Sequence, residues 1–155
     1  DNGIGGPTPA IARMPPVQPP KNDKAPELSA EERTRRQTTP SFEVSKEAWY
    51  DNGRAVFIAK CAGCHPAGTN QIKISKSLFW DDMERNGYGT DHRDISKIVE
   101  VTRYGKGKMP GFAADCADKS DYAQCGVIVA LTEETLQDVE DFVVNRANAG
   151  WKGRG

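Results

Sequence analysis

The stretch KCAGCHPAG, residues 60–68, brings two cysteines and a histidine into five consecutive positions as Cys61, Cys64 and His65. These residue types at this spacing suit three kinds of chemistry. They could form part of a zinc site, act as a redox-active dithiol, or make two thioether bonds to a haem whose iron is bound by the histidine. The rest of the chain must supply the further groups that each kind of site needs.

The other cysteines argue against the first two possibilities. A structural zinc site needs four Cys or His ligands, usually as two spaced pairs, and Cys116 and Cys125 are too far apart to form a second pair of this kind. A thioredoxin-like dithiol needs a βαβ surround, whereas the flanking sequence reads as helical. We therefore predict one covalently bound haem c, attached through Cys61 and Cys64, with His65 as an iron ligand.

A second axial ligand is needed if the iron serves only to carry electrons, and Met is a common choice in cytochromes c. Of the three methionines, Met14 lies in a Pro-rich segment and Met83 lies in a helical pattern that explains it as a core residue. Met109 stands in the glycine-rich stretch YGKGKMPGF, where Pro110 restricts the loop. We predict His65 and Met109 as the axial ligands. With both positions filled no site is left for a substrate, so we expect an electron carrier and not an enzyme.

Composition excludes several other function classes. The 155 residues include 21 basic and 22 acidic side chains with no basic stripe, which argues against a nucleic-acid partner. No apolar run approaches the ~20 residues of a membrane-spanning helix, so any membrane contact is expected to be peripheral. The first residues lack the charged and apolar regions of a signal peptide and are expected to be a processed terminus. Cysteines outside the motif favour an oxidising compartment.

The chain divides into two regions. Eight of the ten prolines precede residue 41, and we predict residues 1–45 to be an irregular Pro-rich extension that is disordered or bound to a partner. Within it, Ser29 and Glu32 form a capping-box pattern that predicts a short helix over residues 30–36. Residues 46–155 are predicted to form the folded domain.

Apolar periodicity and capping residues predict helices throughout this domain, with no strand pattern, so the expected fold class is all-α. In the first helix, residues 45–59, Gly53 and Phe57 share one face. The others are predicted over residues 77–86 with Gly87 as the C-terminal cap, over 91–104 between Thr90 and Gly105, and from an N-cap at Thr132 to the end of the domain.

The stretches GRAVFIAKCAGCH, YGKGKMPGF and NRANAGW resemble the cytochrome c6 family of class I c-type cytochromes. The resemblance implies four to five helices around one covalently bound haem. It also implies that the first and last helices of the domain cross through Gly53, Phe57 and Phe142. At the position of Asn70 the family keeps polar contacts near the haem.

One branch of the family is more similar still. SLFWDDMERNGYGT and the insertion DCADKSDYAQCGV resemble the A-type cytochrome c6 of plants and green algae. This resemblance implies a disulfide between Cys116 and Cys125. It also places Val101 at a position near the haem where other cytochromes c6 have Gln, and so implies a lowered reduction potential.

The expected function is one-electron transfer in the thylakoid lumen of a chloroplast, or in a bacterial periplasm if the source is bacterial. The expected partner is a redox protein, such as a photosystem or a cytochrome b6f-type membrane complex. Two alternatives stay open at this point. Residues 1–45 would dock the protein to a photosynthetic membrane complex as a haem-bearing accessory subunit, or Cys116 and Cys125 would act as a disulfide-based redox sensor.

Overall fold

The computed structural model describes residues 27–89, 94–119, 125 and 129–152. Within these ranges the chain forms seven α-helices and a short 3₁₀ turn, and the only β-type pairing is an isolated bridge between Lys106 and Met109. The predicted all-α fold class is confirmed. The helices are α1 (Ala30–Thr38), α2 (Ser41–Val44), α3 (Ala48–Lys60), α4 (Trp80–Arg85), α5 (Ser96–Tyr104), α6 (Cys116–Lys119) and α7 (Glu133–Asn148).

Helix α4 ends where the sequence predicts and begins three residues later than predicted. Gly87 follows its C-terminus at φ 81°, and the N–H of Tyr88 donates to the carbonyl of Met83 at 2.7 Å, which is the usual glycine-capped ending. At the other end the Ser77 hydroxyl donates to the Asp82 carboxylate at 2.6 Å. This hydrogen bond holds the residues before α4 in a non-helical turn.

Helix α5 ends as predicted at Gly105, whose φ of 74° stops the helix. It begins at Ser96, later than the predicted start at residue 91. The Asp94 carboxylate accepts hydrogen bonds from both the N–H and the hydroxyl of Ser96, at 3.0 and 2.7 Å, just before the N-cap residue Ile95. The predicted cap, Thr90, lies outside the described residues.

Helices α3 and α7 cross at the glycine that the family resemblance implied. A Cβ atom on Gly53 would overlap the carbonyl oxygen of Asp138 and come within 2.8 Å of the Phe142 Cβ, so only glycine permits this separation. The Phe142 ring packs against Phe57 and Tyr50, with centroids 5.6 and 5.1 Å apart. This crossing forms the main apolar core and fixes the end of α3, where the cysteine motif begins.

Helix α1 packs on the opposite, polar face of α7 through buried ion pairs. The Arg33 guanidinium donates to Asp141 at 3.0 Å and to Glu140 at 3.2 Å, and both carboxylates are fully buried. Arg36 pairs with Asp138 at 2.8 Å. A face of α7 that reads as solvent-exposed in the sequence is therefore an interior surface.

The turn between α1 and α2 is held by the same helix. The Asn145 carboxamide donates to the carbonyls of Arg36 and Thr39, each at 2.8 Å, and accepts from the Ser41 hydroxyl at 2.6 Å. The described part of the predicted extension, residues 27–45, thus contacts the chain's own last helix. The boundary proposed at residue 45 stays a prediction, and residues 1–26 lie outside the described residues.

Candidate haem site

The two motif cysteines lie where helix α3 ends. The N–H of Cys61 closes the last turn of α3 on the carbonyl of Phe57 at 2.8 Å. The N–H groups of Cys64 and His65 then both donate to the carbonyl of Cys61, at 3.1 and 2.9 Å. This compact turn places the two thiols and the imidazole beside one cavity of about 720 Å³.

The His65 ring is oriented by a backbone carbonyl. Its Nδ1 lies 2.9 Å from the carbonyl oxygen of Thr69. Because a carbonyl can only accept, Nδ1 carries the proton and Nε2 keeps a free lone pair. Burial lowers the pKa of His65 below its usual 6.5, which also favours the neutral ring. A neutral imidazole with one nitrogen committed to a carbonyl is the form that binds a metal.

Met109 reaches the same cavity from a tight turn. The backbone groups of Lys106 and Met109 exchange two hydrogen bonds of 3.0 Å, and Gly107 occupies the turn at φ 59°. Gly105 has a positive φ and no room for a side chain, because a Cβ would come within 2.8 Å of the backbone nitrogen of Gly111. Gly105 and Gly107, in the glycine-rich stretch around Met109, are therefore needed for the backbone conformation of this turn.

All six predicted haem-contacting residues line this single cavity, although they come from four separate segments. Its volume falls within the ~300–1,000 Å³ that is usual for cofactor sites. The predicted residues are Cys61, Cys64, His65, Asn70, Val101 and Met109, and the apolar wall around them includes Phe57, Leu78, Met83, Ile98, Phe112, Val139 and Val143.

The chemistry of these groups fits a haem better than the alternatives. Burial raises the pKa of Cys61 to about 12, with a further increase from Cys64. The thiolate that dithiol exchange requires is therefore disfavoured. Among the residues that the structure describes, no cluster of three or more His, Cys, Asp or Glu side chains could hold a metal ion alone. An imidazole nitrogen, a thioether sulfur and two thiols beside an apolar cavity match the needs of haem c.

Asn70 and Val101 line the cavity in different ways. The Asn70 carboxamide shapes the loop that follows the motif, because its oxygen accepts the N–H groups of Ile72 and Lys73 at 2.9 and 2.8 Å. Its nitrogen donates to the carbonyl of Lys76 at 2.9 Å. Val101, on α5, presents only an alkyl group to the cavity. Asn70 is thus committed to holding its loop, and Val101 makes the wall apolar.

The disulfide implied by the resemblance is present between Cys116 and Cys125. The Cys116 sulfur is buried, lies 3.5 Å from the carbonyl oxygen of Tyr104, and occupies the space that a side chain on Gly111 would need. Because Gly111 follows two residues after Met109, the disulfide packs against the segment that carries this methionine.

Glu140, which was not among the residues predicted from the sequence, is the one carboxylate on the cavity wall among the described residues. Its side chain has no exposure to solvent and is held by Arg33 and Arg103, each at 3.2 Å. Burial raises the pKa of Glu140 to about 7, against the opposing effect of Arg103 and Arg33. The signal in the sequence was an acidic residue directly beside Val139 in the apolar stripe of the last helix.

A second contact that the sequence did not predict is made by Trp151, which packs against the loop after the cysteine motif. Trp151 covers Gly68 so closely that a Cβ on this glycine would overlap the indole. The indole N–H donates to the carbonyl of Leu78 at 3.0 Å. The chain end after α7 therefore holds the loop that leads away from His65.

Comparison with known proteins agrees with this site. The family model described as cytochrome C oxidase, cbb3-type, subunit III matches residues 48–123. The protein named cytochrome c6, chloroplastic, of Arabidopsis thaliana is 37% identical over 99 residues, or 64% of this chain and 53% of that protein. The chain thus spans about half the length of this relative. Cytochrome c6 of Parathermosynechococcus lividus is 31% identical over 102 residues, covering 66% of this chain and 95% of that one.

Solved structures extend the likeness to the A-type branch. Oxidised cytochrome c6A of Arabidopsis thaliana superposes with a TM-score of 0.60 at 34% identity, covering 70% of this chain and all of that one. The reduced form gives a TM-score of 0.58 at 36% identity. Within the described residues, every helix is too short or too polar to cross a bilayer. The chain belongs to the cytochrome c6 family, whose members carry one covalently bound haem c, and its similarity to the A-type is confirmed.

Proposed function

We propose that this protein carries single electrons in the thylakoid lumen of a chloroplast. The haem is attached through Cys61 and Cys64, and its iron is bound by His65 and Met109. Electrons pass to and from a redox partner, such as a photosystem or a cytochrome b6f-type membrane complex. The name of the Arabidopsis relative, which includes the word chloroplastic, supports this location.

The haem supplies the reversible one-electron change between ferrous and ferric iron, and the chain controls the surroundings of that change. The Thr69 carbonyl holds His65 in the tautomer that leaves Nε2 free to bind iron. The Gly105–Gly111 turn presents Met109 to the same cavity. Apolar side chains around these ligands exclude water, and two filled axial positions leave none for a substrate. We therefore propose a six-coordinate carrier that is not an enzyme.

The observation that carries this proposal is that Cys61, Cys64, His65 and Met109 meet at one cavity, although the histidine and the methionine are 44 positions apart in the sequence. No local sequence constraint brings them together. The fold does so through the α3–α7 crossing and the turn after α5. A cavity of cofactor size lined by this donor set is expected for a His/Met haem.

The test is spectroscopic, with a matched methionine as its control. Met109→Leu is expected to abolish the sulfur-to-iron charge-transfer band of the oxidised protein and to convert part of the iron to a high-spin form. Met83→Leu changes another methionine on the same cavity wall, which is 3% exposed, and is expected to keep the band. A band that survives Met109→Leu, or is lost in Met83→Leu, would contradict the ligand assignment.

A further inference from the structure

The mouth of the haem cavity is surrounded by lysines. Five lysines line the cavity, and they come from the end of α3, the loop after the motif and the Met109 turn. Four of them are exposed and one is half-buried, so their charged ends lie at the mouth and not in the interior. These residues, which we call the lysine rim, are Lys60, Lys73, Lys76, Lys106 and Lys108.

The described residues that line the cavity bring no free carboxylate to the rim. Glu140 is the single acidic residue lining the cavity among those described, and it is buried and paired with Arg33 and Arg103. Within the described part of the chain, Lys60, Lys73, Lys76 and Lys108 make no ion pair with a carboxylate. Since the whole chain has a net charge of −1, this is a segregation of charge and not a basic protein. The two propionates of a haem would neutralise at most two of these four lysines.

An apolar side chain lies among the rim lysines. Ile72 lines the cavity and is 51% exposed, next to Lys73. It does not belong to the buried core. An exposed apolar side chain framed by lysines is suited to a short-lived contact. The charges accelerate and orient the encounter, and the apolar centre allows close approach.

We propose that the lysine rim, with Ile72, is the docking surface for an acidic redox protein whose carboxylates surround its own redox centre. This rests on the proposed function, because the rim encloses the route by which an electron reaches the haem. An anionic membrane surface would match the charge equally well. It is the poorer occupant, because lipid headgroups at this mouth would cover the haem edge and could not exchange electrons with it.

The first test measures the charge at the haem edge with the complete haem-loaded protein. The ferrous protein gives one electron to hexacyanoferrate(III), forming ferric haem and hexacyanoferrate(II), or to the cationic tris(phenanthroline)cobalt(III), forming its cobalt(II) complex. Stopped-flow rates are expected to fall with added salt for the anionic oxidant and to rise for the cationic one.

Two variants with equal net charge separate the rim from the whole molecule. In the first, Lys73, Lys76 and Lys108 are changed to Gln. In the second, the exposed lysines Lys46, Lys97 and Lys119, which do not line the cavity, are changed to Gln. The rim variant is expected to lose about tenfold in rate with hexacyanoferrate(III) at low salt, and the control variant less than twofold. Equal losses in both would overturn the proposal, because net charge alone would then explain the rates.

The second test identifies the class of partner without using electron transfer. Poly-glutamate and vesicles of phosphatidylcholine with phosphatidylglycerol are added separately to isotope-labelled protein. We expect poly-glutamate to shift the amide signals of the rim, and these shifts to disappear in the rim variant. Binding to the vesicles without binding to poly-glutamate would overturn the acidic-protein proposal in favour of a membrane. If the protein passes electrons to neither oxidant, the proposed function fails, while the peptide result still decides the docking surface.

Discussion

At the residue scale, the potential of the haem is expected to depend on Val101. Val101 and Ile98 are the apolar side chains of α5 on the cavity wall, and the neighbouring Thr102 hydroxyl donates to the carbonyl of Ile98 at 2.8 Å. An alkyl wall offers no dipole to stabilise either oxidation state. A carboxamide here would direct an N–H at the haem and favour the ferrous form, which carries less positive charge.

We therefore predict that Val101→Gln raises the reduction potential measured by redox titration. Val99→Gln serves as the control, because Val99 lies on the same helix, is half-buried and does not line the cavity. It is expected to leave the potential unchanged. A potential that stays constant in Val101→Gln, or moves equally in both variants, would contradict a tuning role for Val101.

The disulfide makes a second prediction at this scale. Replacing Cys116 and Cys125 together by Ser is expected to lower the free energy of unfolding by about 2–3 kcal/mol, the value for closing a loop of this length. The reduction potential of the haem is expected to stay the same. Urea unfolding and redox titration measure the two quantities, and wild-type protein treated with a thiol reductant is the matched comparison. A shift in potential without loss of stability would support the redox-sensor alternative instead.

At the element scale, helix α1 is joined to α7 by buried ion pairs. Two of its arginines pair with three buried carboxylates of α7, and without them these carboxylates would lose partners in the interior. Leaving a buried charge unpaired is much more destabilising than losing an exposed pair. The acidic face of α7 and the basic face of α1 therefore require each other.

Two arginines of α1 provide a matched test of this interpretation. Arg33→Met is expected to reduce the free energy of unfolding by about 3–5 kcal/mol, because it leaves Glu140 and Asp141 short of a partner. Arg35→Met removes the exposed pairs with Glu32 and Glu47 and is expected to cost at most about 1 kcal/mol. Chemical denaturation of both variants measures the difference, and equal effects would contradict the claim that the buried pairs of α1 contribute more than the exposed ones.

The packing of α1 also shows which part of the fold the sequence did not predict. The helix itself was predicted from Ser29, whose hydroxyl does accept the N–H of Glu32 at 3.1 Å. Its partner was not, because apolar periodicity identifies only the Leu136–Phe142 stripe of α7 as buried. The opposite face, with Gln137, Asp138 and Asp141, has the composition of a surface. Only the positions of arginines more than a hundred residues away along the chain make it an interior.

The haem site was more predictable, since its ligands carry their signal in residue type and local spacing. Cysteine and histidine in one short motif, and a methionine in a glycine turn, can be recognised without a fold. The partner that orients His65 could not be predicted, because it is the backbone carbonyl of Thr69. Every residue has such a carbonyl, so residue type does not identify it. Glu140 was overlooked for a related reason. Its burial depends on Arg33 and Arg103, which come from two different helices.

At the scale of the whole molecule, the cavity lies where the centre of the hydrophobic core would otherwise be. Its wall draws on α3, α4, α5 and α7. Without the haem, the apolar side chains of this wall would face water, which favours their collapse into the space. The bound haem is therefore expected to contribute to the stability of the fold.

We therefore expect folding of the chain and binding of the haem to be coupled. A variant with Cys61 and Cys64 changed to Ala cannot attach haem covalently. We expect it to keep part of its far-UV helical signal, to lose its near-UV signal and to bind the dye ANS. These are the properties of a collapsed state without fixed packing.

The control is the haem-loaded variant that lacks Cys116 and Cys125. It loses a covalent link but keeps the haem in its cavity, and it is expected to unfold cooperatively. The opposite result would be a haem-free variant that shows a native near-UV spectrum and unfolds in one cooperative step. That result would contradict the coupling, because the α3–α7 crossing and the α1 ion pairs would then be sufficient to fold the domain without haem.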